Sequence, residues 1–379
     1  MENFIAYNPT KLHFGRGVMD GLGKTVAEYG KRVLLVYGGG SIKKNGIYDK
    51  AIQQLNSINA EVFEYQGIKP NPIIEDVDAA AELGRKNKVD VILAVGGGSV
   101  IDSSKIISIT IPVNHTGWDF YSGKAKPVKA IPLISVLTLA ATGTEMNPFA
   151  VVQNKATQQK LGYGSDQTYN CHSFLDPENT FSVSKNYTAY GIADLIAHSL
   201  EAYFGAGDAT LSDKLVFAII NEAKENGEAL LNDLENYDLR AKIMYAATMA
   251  LNQTTMYGRV SGDWGVHSIG HILSLLYDVA HGASLSIVIP AWMKFHKNKI
   301  SDRIAFLGQN VFGVKTADET IDAFEAYFKS IECPIRLSEI ATGKENKVEI
   351  LKVMNQNKVG GANHRLTNED HAKILDLFW

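Results

Sequence analysis

The sequence predicts two halves of different class: an α/β half over residues 1–180 built on a parallel sheet, and an all-helical half over 181–379. Three observations carry this. Apolar, β-branched runs alternate with helix-compatible segments up to about Leu175, and two of these runs end in Gly-Gly-Gly-Ser. Such alternation indicates a parallel sheet covered by helices on both faces. Beyond Asp176-Pro177 helical periodicity dominates, and Asp and His recur there four residues apart.

Composition bounds the answer. The chain has 379 residues, 45% of them hydrophobic and 21% charged, and a net charge of −4. That length allows two or three domains at about 150 residues each. The charge gives no reason to expect a nucleic acid or an anionic membrane as partner. Cys171 and Cys333 stand far apart with no second thiol near either, which argues against a disulfide framework or a thiolate-rich zinc site. No basic segment precedes an apolar run at the N-terminus, and no apolar stretch approaches the roughly 20 residues of a membrane span. A cytoplasmic location is expected.

In the first half, Lys11–Phe14 is read as a short extended segment, followed by an amphipathic helix toward Tyr29. Gly23-Lys24-Thr25 resembles the end of a phosphate loop, but the glycine required five positions earlier is Val18, so that assignment fails. Val33–Tyr37 is a strand buried on both faces and ends in Gly38-Gly39-Gly40-Ser41. A helical segment to about Asn56, a strand Glu61–Tyr65, a loop at Pro70-Asn71-Pro72 and a helix from Ile74 to Lys86 follow. The strand Val89–Val95 ends in Gly96-Gly97-Gly98-Ser99, and Val100–Lys105 opens the next helix. A last strand, Ile131–Leu139, leads to Thr142-Gly-Thr-Glu145. Glycine loops at strand ends let backbone approach a phosphate closely, with free N–H groups at the helix start behind them. Neither loop fits Gly-x-Gly-x-x-Gly, so a dinucleotide here would be bound in a variant arrangement.

The boundary is placed near residues 178–186. Helices are expected at Ala189–Tyr203, Lys214–Asn226, Leu239–Asn252, Asp263–Leu276, Ser284–His296 and Ala317–Ile331, with a last one from Thr367. Asp194 and His198 share a helix face, as do His267 and His271, and His281 follows. One carboxylate with three imidazoles suits one divalent ion of borderline softness, Fe²⁺ or Zn²⁺, better than Mg²⁺ or Ca²⁺. Such a site stays net positive and can stabilise an alkoxide. Five candidates exceed the count, leaving one of His267 and His271 for proton transfer. No Gly-x-Ser-x-Gly elbow or His-Glu-x-x-His is present.

Together these motifs resemble the iron-containing (group III) alcohol dehydrogenases, in their butanol dehydrogenase and NADPH-dependent aldehyde reductase branch. The resemblance runs from Phe14-Gly-Arg-Gly17 through both glycine loops and Leu175-Asp-Pro177. It is most specific at Gly191-x-x-Asp194-x-x-x-His198-x-x-Glu201, Trp264-x-x-His267-x-x-Gly270-His271 and His281-Gly282. It implies an α/β dinucleotide-binding domain followed by an all-helical metal domain, the fold shared with dehydroquinate synthase. It implies Asp194, His198, His267 and His281 as metal ligands and leaves His271 as the nearby non-ligand histidine, the candidate catalytic proton relay. The cofactor-binding residues implied are Gly38, Gly39, Gly40, Ser41, Asn71, Gly97, Gly98, Ser99, Asp102, Thr138, Thr142, Asn147 and Lys160. Two departures are the Thr142-Gly-Thr-Glu145 variant of Thr-Gly-Ser-Glu, which keeps a hydroxyl, and Val183-Ser184 in place of Leu-Pro.

The expected reaction is reversible hydride transfer between NAD(P)H and small aldehydes or primary alcohols, in a homodimer. The first glycine loop lacks a carboxylate and is followed by Lys43 and Lys44, so NADP(H) is expected in preference to NAD(H). The alternatives are a metal lyase of the dehydroquinate-synthase kind, a glycerol dehydrogenase-like polyol oxidoreductase, and a metal-dependent hydrolase.

Overall fold

The computed structural model describes residues 1–340 and 346–379. They form two compact units: Tyr7–Val183 with Glu235–Met244, and Met1–Ala6 with Ser184–Leu234 and Tyr245–Trp379.

In the first unit, strands β1 (Lys11–Phe14), β2 (Arg32–Tyr37), β3 (Glu61–Gln66), β4 (Val91–Gly96) and β5 (Leu133–Leu137) join a sheet with β8 (His172–Leu175). Strands β6 (Phe149–Asn154) and β7 (Gln159–Gly164) form a separate antiparallel hairpin. The six-stranded sheet has the order β1-β8-β5-β4-β2-β3, and every pairing is parallel. Helices α1 (Leu22–Ala27), α2 (Ser41–Lys44), α3 (Ile47–Ser57), α4 (Ile74–Lys86), α5 (Gly98–Thr110) and α6 (Trp118–Tyr121) complete it. The strand pleat sorts the core. Leu34, Val36, Ile92 and Ala94 pack on one face with Ile101 and Ile106, while Val33, Leu35, Val91 and Leu93 pack on the other with Leu22 and Leu55. Central β4 is buried throughout, whereas the edge strands β1 and β3 are partly exposed.

The hairpin and β8 were not expected from sequence. β7 reads Gln-Lys-Leu-Gly-Tyr-Gly, too rich in glycine for a strand signal, and exists because its backbone pairs with β6. β8 has four residues and is held between β1 and β5. The helix after β2 is broken into α2 and α3 at Gly46, which has φ 80°.

The helical segments are α7 (Lys185–Tyr203), α8 (Thr210–Asn232), α9 (Tyr237–Leu251), α10 (Gly265–Tyr277), α11 (His281–Val311), α12 (Ala317–Ser330), α13 (Lys347–Asn357) and α14 (Asn368–Leu375). The division between the units falls inside α9. Helix α7 is buried on all sides from Gly191 to Tyr203, as befits the centre of a helical unit. Helix α11 runs well past His296, through Pro290, with a break at Ile300 (φ −131°). A capping box opens α14: the Thr367 hydroxyl accepts from Asp370 N, and the Asp370 carboxylate accepts from Thr367 N. Among the described residues no helix is long and apolar enough to cross a membrane.

Candidate metal centre and coenzyme loops

Three helices of the second unit bring the predicted cluster together. Helix α7 presents Asp194 and His198 one turn apart, α10 presents His267 in its first turn, and His281 is the first residue of α11. All converge on one oxygen. Asp194 Oδ1 lies 3.4 Å from His198 Nδ1, 3.6 Å from His267 Nε2 and 3.7 Å from His281 Nε2. The ligand atoms of Asp194, His267 and His281 are mutually within 4.8 Å, and His198 adjoins this set through Asp194. His271 stands outside it, its ring 5.3 Å from that of His281 and 6.3 Å from that of His267.

The donor set fits a divalent ion. Two ligands about 2.1 Å from a shared ion at a tetrahedral angle stand about 3.4 Å apart, close to the spacings around Asp194. Asp194 Oδ1, His198 Nδ1 and His267 Nε2 are buried and make no hydrogen bond. Buried polar atoms are expected to be paired, so these atoms gathered around the Asp194 carboxylate mark a place for a cation. Charge among these groups is uneven. Burial lowers His198 to about 4, although Asp194 opposes it. Burial presses on His267 too, but the nearby carboxylate of Asp194 and the hydrogen-bonded carboxylate of Glu201 lift it to about 9.

Close packing holds these helices in place. A Cβ on Gly282 would lie 2.0 Å from the Tyr190 carbonyl oxygen, so only glycine lets the first turn of α11 rest against α7. Asp263 accepts from Gly265 N, Asn363 N and His364 N, tying the start of α10 to the C-terminal loop.

In the α/β unit most of the predicted coenzyme residues follow the C-terminal ends of β2, β4 and β5, where parallel sheets bind ligands, while Asn71 lies in the loop after β3 and Lys160 on β7. Gly38–Ser41 follow β2, and Gly40 is left-handed at φ 101°. Gly97, Gly98 and Ser99 lead into α5, a helix of 13 residues. A Cβ on Gly98 would come within 2.8 Å of the Thr142 side chain, which brings those two predicted positions into contact. The Thr138 N–H donates to Gly96 O. The Ser99 hydroxyl donates to Pro70 O, and Lys160 Nζ donates to Asn71 Oδ1 at 2.8 Å.

Asp102 and Asn147 are engaged with protein. Asp102 accepts from the Thr144 hydroxyl at 2.6 Å and from Val151 N at 2.8 Å. Asn147 donates to Gly143 O and accepts from Phe149 N. Lys105, which the sequence reading left without a role, is fully buried and donates to Thr144 Oγ1, Asn147 O and Phe149 O. Burial pulls it down to about 8, against the opposing charges of Asp102 and Glu145. Asp102, Lys105, Thr144 and Asn147 therefore brace the loop after β5 against α5. Asp102-x-x-Lys105, one helical turn apart, was the sequence signal available for this pair.

A parallel α/β unit with glycine loops at its strand ends, together with a helical unit carrying an Asp/His cage, is the equipment of a metal-dependent, nicotinamide-linked dehydrogenase. Residues 9–177 match the model of the iron-containing alcohol dehydrogenases, and residues 188–378 match the C-terminal model of the Fe-containing alcohol dehydrogenase family. The chain is 43% identical to a probable NADH-dependent butanol dehydrogenase 2 of Bacillus subtilis, over 93% of this chain and 92% of that protein. It is 34% identical to the NADPH-dependent aldehyde reductase YqhD of Escherichia coli, over 99% of each. The crystal structure of an NADH-dependent butanol dehydrogenase A from Thermotoga maritima superposes with a TM-score of 0.96 at 38% identity, covering 100% of this chain and 99% of that one. The chain belongs to the iron-containing alcohol dehydrogenase family, and it is a metal-dependent, NAD(P)H-linked oxidoreductase acting on alcohols and aldehydes.

Proposed function

We propose that this enzyme interconverts short aliphatic aldehydes and primary alcohols of the butanal/butanol kind, with NADP(H) as preferred coenzyme. Asp194, His198, His267 and His281 are the proposed metal ligands and His271 the proposed proton relay. The convergence of three imidazole nitrogens on Asp194 Oδ1 within 3.4–3.7 Å carries the proposal. When bound, the cation would polarise the carbonyl oxygen and the dihydronicotinamide would supply the hydride.

The protein's own groups do the rest. Asp194 contributes a carboxylate to the cage, so a divalent ion there keeps net positive charge. Gly97, Gly98 and Ser99 offer backbone N–H groups at the start of α5 to a pyrophosphate. His271, 9% exposed and adjoining His281, is placed to give the alkoxide oxygen its proton, directly or through water. NADP(H) preference is supported by the absence of a carboxylate in Gly38–Ser41 and by Lys43 just beyond it. A second reading, NAD(H), is favoured by the NADH-linked name of the B. subtilis relative. A cytoplasmic homodimer is part of the proposal, since β1 ends the sheet and leaves an edge for a second copy. Light scattering reads its mass.

The deciding assay follows absorbance at 340 nm against a panel of aldehydes, using metal-free protein reloaded with Fe²⁺ or Zn²⁺ and either coenzyme. Better kcat/KM with NADPH than with NADH, highest for short aliphatic aldehydes, is the expected result. A higher kcat/KM with NADH would replace the coenzyme assignment, and no aldehyde-dependent oxidation with either metal would overturn the function.

A further inference from the structure

Glu201 lies seven residues beyond Asp194 on α7 and is 2% exposed. It has no solvent to stabilise its charge, so its partners must. Its Oε1 accepts from the backbone N of His267 at 2.9 Å and faces His267 Nδ1 at 3.1 Å. A carboxylate can only accept, so the hydrogen in the second contact belongs to His267 Nδ1. That settles the orientation of the ring. With Nδ1–H turned to Glu201, Nε2 is the atom that faces Asp194 Oδ1, and it makes no hydrogen bond of its own. The backbone carbonyl of Glu201 also accepts from Asp263 N at 2.9 Å, in the segment leading into α10. One residue of α7 therefore fixes both where α10 begins and which nitrogen of its first histidine looks into the cage.

We infer that Glu201 is a positioning residue of the metal centre: it holds His267 in the Nδ1–H form, Nε2 forward, and raises the basicity of that nitrogen toward a bound divalent cation. The inference rests on the metal-centre reading above. Its physical basis is the general behaviour of carboxylate–histidine pairs behind metals, where the carboxylate fixes tautomer and ring angle and strengthens the ligand. His198 has Asp194 beside its Nδ1 and no comparable acceptor hydrogen-bonded behind it among the described contacts, so Glu201 acts on one ligand selectively.

The test compares wild type with Glu201→Gln and Glu201→Leu. Zn²⁺ affinity is measured by competition with a chromophoric chelator, the visible spectrum of the Co²⁺ form reports ligand geometry, and far-ultraviolet circular dichroism of each metal-free protein reports folding. Glutamine keeps a neutral acceptor of the same length; leucine keeps the bulk and removes the acceptor. The expected result is a graded loss of Zn²⁺ affinity, about 10-fold for glutamine and about 100-fold for leucine, with altered Co²⁺ bands and unchanged metal-free dichroism. A packing role alone would not produce that order, because leucine fills the site. If the leucine variant does not fold, the glutamine variant decides. Affinities within 3-fold of wild type and superimposable Co²⁺ spectra would overturn the inference while leaving the metal centre intact. Failure of wild type to bind either ion would overturn the metal reading itself, and this inference with it.

Discussion

At the scale of single residues, two histidines one helical turn apart are given different work. His267 points Nε2 at Asp194, whereas the ring of His271 lies beside those of His281 and His267. Replacing His267 by Ala is expected to lower both bound metal and turnover. Replacing His271 by Ala should leave metal near one per chain and lower kcat by about 10²-fold, the scale of a lost general acid. Metal analysis beside steady-state kinetics separates the two, and parallel loss of metal in the His271 variant would mean that ligand and relay have been exchanged. Lys105 supplies a pH dependence. Its folded value near 8 lies below its ordinary 10.5, so between those pH values the unfolded chain holds a proton that the folded chain has released. Its contribution to stability therefore rises with pH across that window, and below it the full cost of burying the ammonium is present. The difference in unfolding free energy between wild type and Lys105→Met should grow in favour of wild type from pH 8 to pH 10. A difference that stays flat contradicts a buried, depressed lysine.

At the scale of elements, the cage depends on how closely α11 approaches α7. Gly282 sits on the Tyr190 carbonyl with no space for a methyl group. Gly282→Ala must push the first turn of α11 outward, carrying His281 away from Asp194, at about 1–3 kcal/mol by the usual cost of overpacking. Denaturant unfolding should register that loss, and retained metal after a chelator challenge should fall well below wild type. Normal retention would show that His281 is not positioned by this contact. The sequence makes α7 and α10 legible through their apolar periodicity, but it contains nothing that reports the approach distance between α7 and α11. The β6–β7 hairpin was hidden for a related reason. Its second strand has weak propensity and is specified by pairing with Phe149–Asn154, which becomes visible only when the chain has folded back.

For the molecule as a whole, the two units should respond to different ligands. A divalent ion held by the proposed ligands would contact α7, α10 and α11, so its removal by chelator should release hydrogen-exchange protection at Asp194–Glu201, Gly265–His271 and His281–Leu285 while β4 and β5 keep theirs. At free ion 1,000 times the dissociation constant the stabilisation withdrawn is about 4 kcal/mol. NADPH should instead protect the start of α5 and the Thr142–Asn147 loop. Uniform change across both units on metal removal would contradict a centre confined to the helical unit.

The sequence by itself determined the class of each half, because a period of two and a period near 3.6 are written locally and need no tertiary knowledge. It determined that Asp194 and His198 share a face, since helix geometry leaves no other outcome four residues apart. It also located the glycine loops, which follow the strands that carry them. Spacing alone left open which of His267 and His271 faces Asp194, since both lie on one face of α10; the resemblance assigned His267, and the rotation of that helix against α7 is what turns its Nε2 toward Asp194. Tertiary structure alone decided that the carboxylates of Asp102 and Glu201 act by holding other groups: Asp102 accepts from Thr144 and Val151, and Glu201 from His267. A side chain's partners are set by elements distant in sequence, and no spacing along the chain encodes the distance between them.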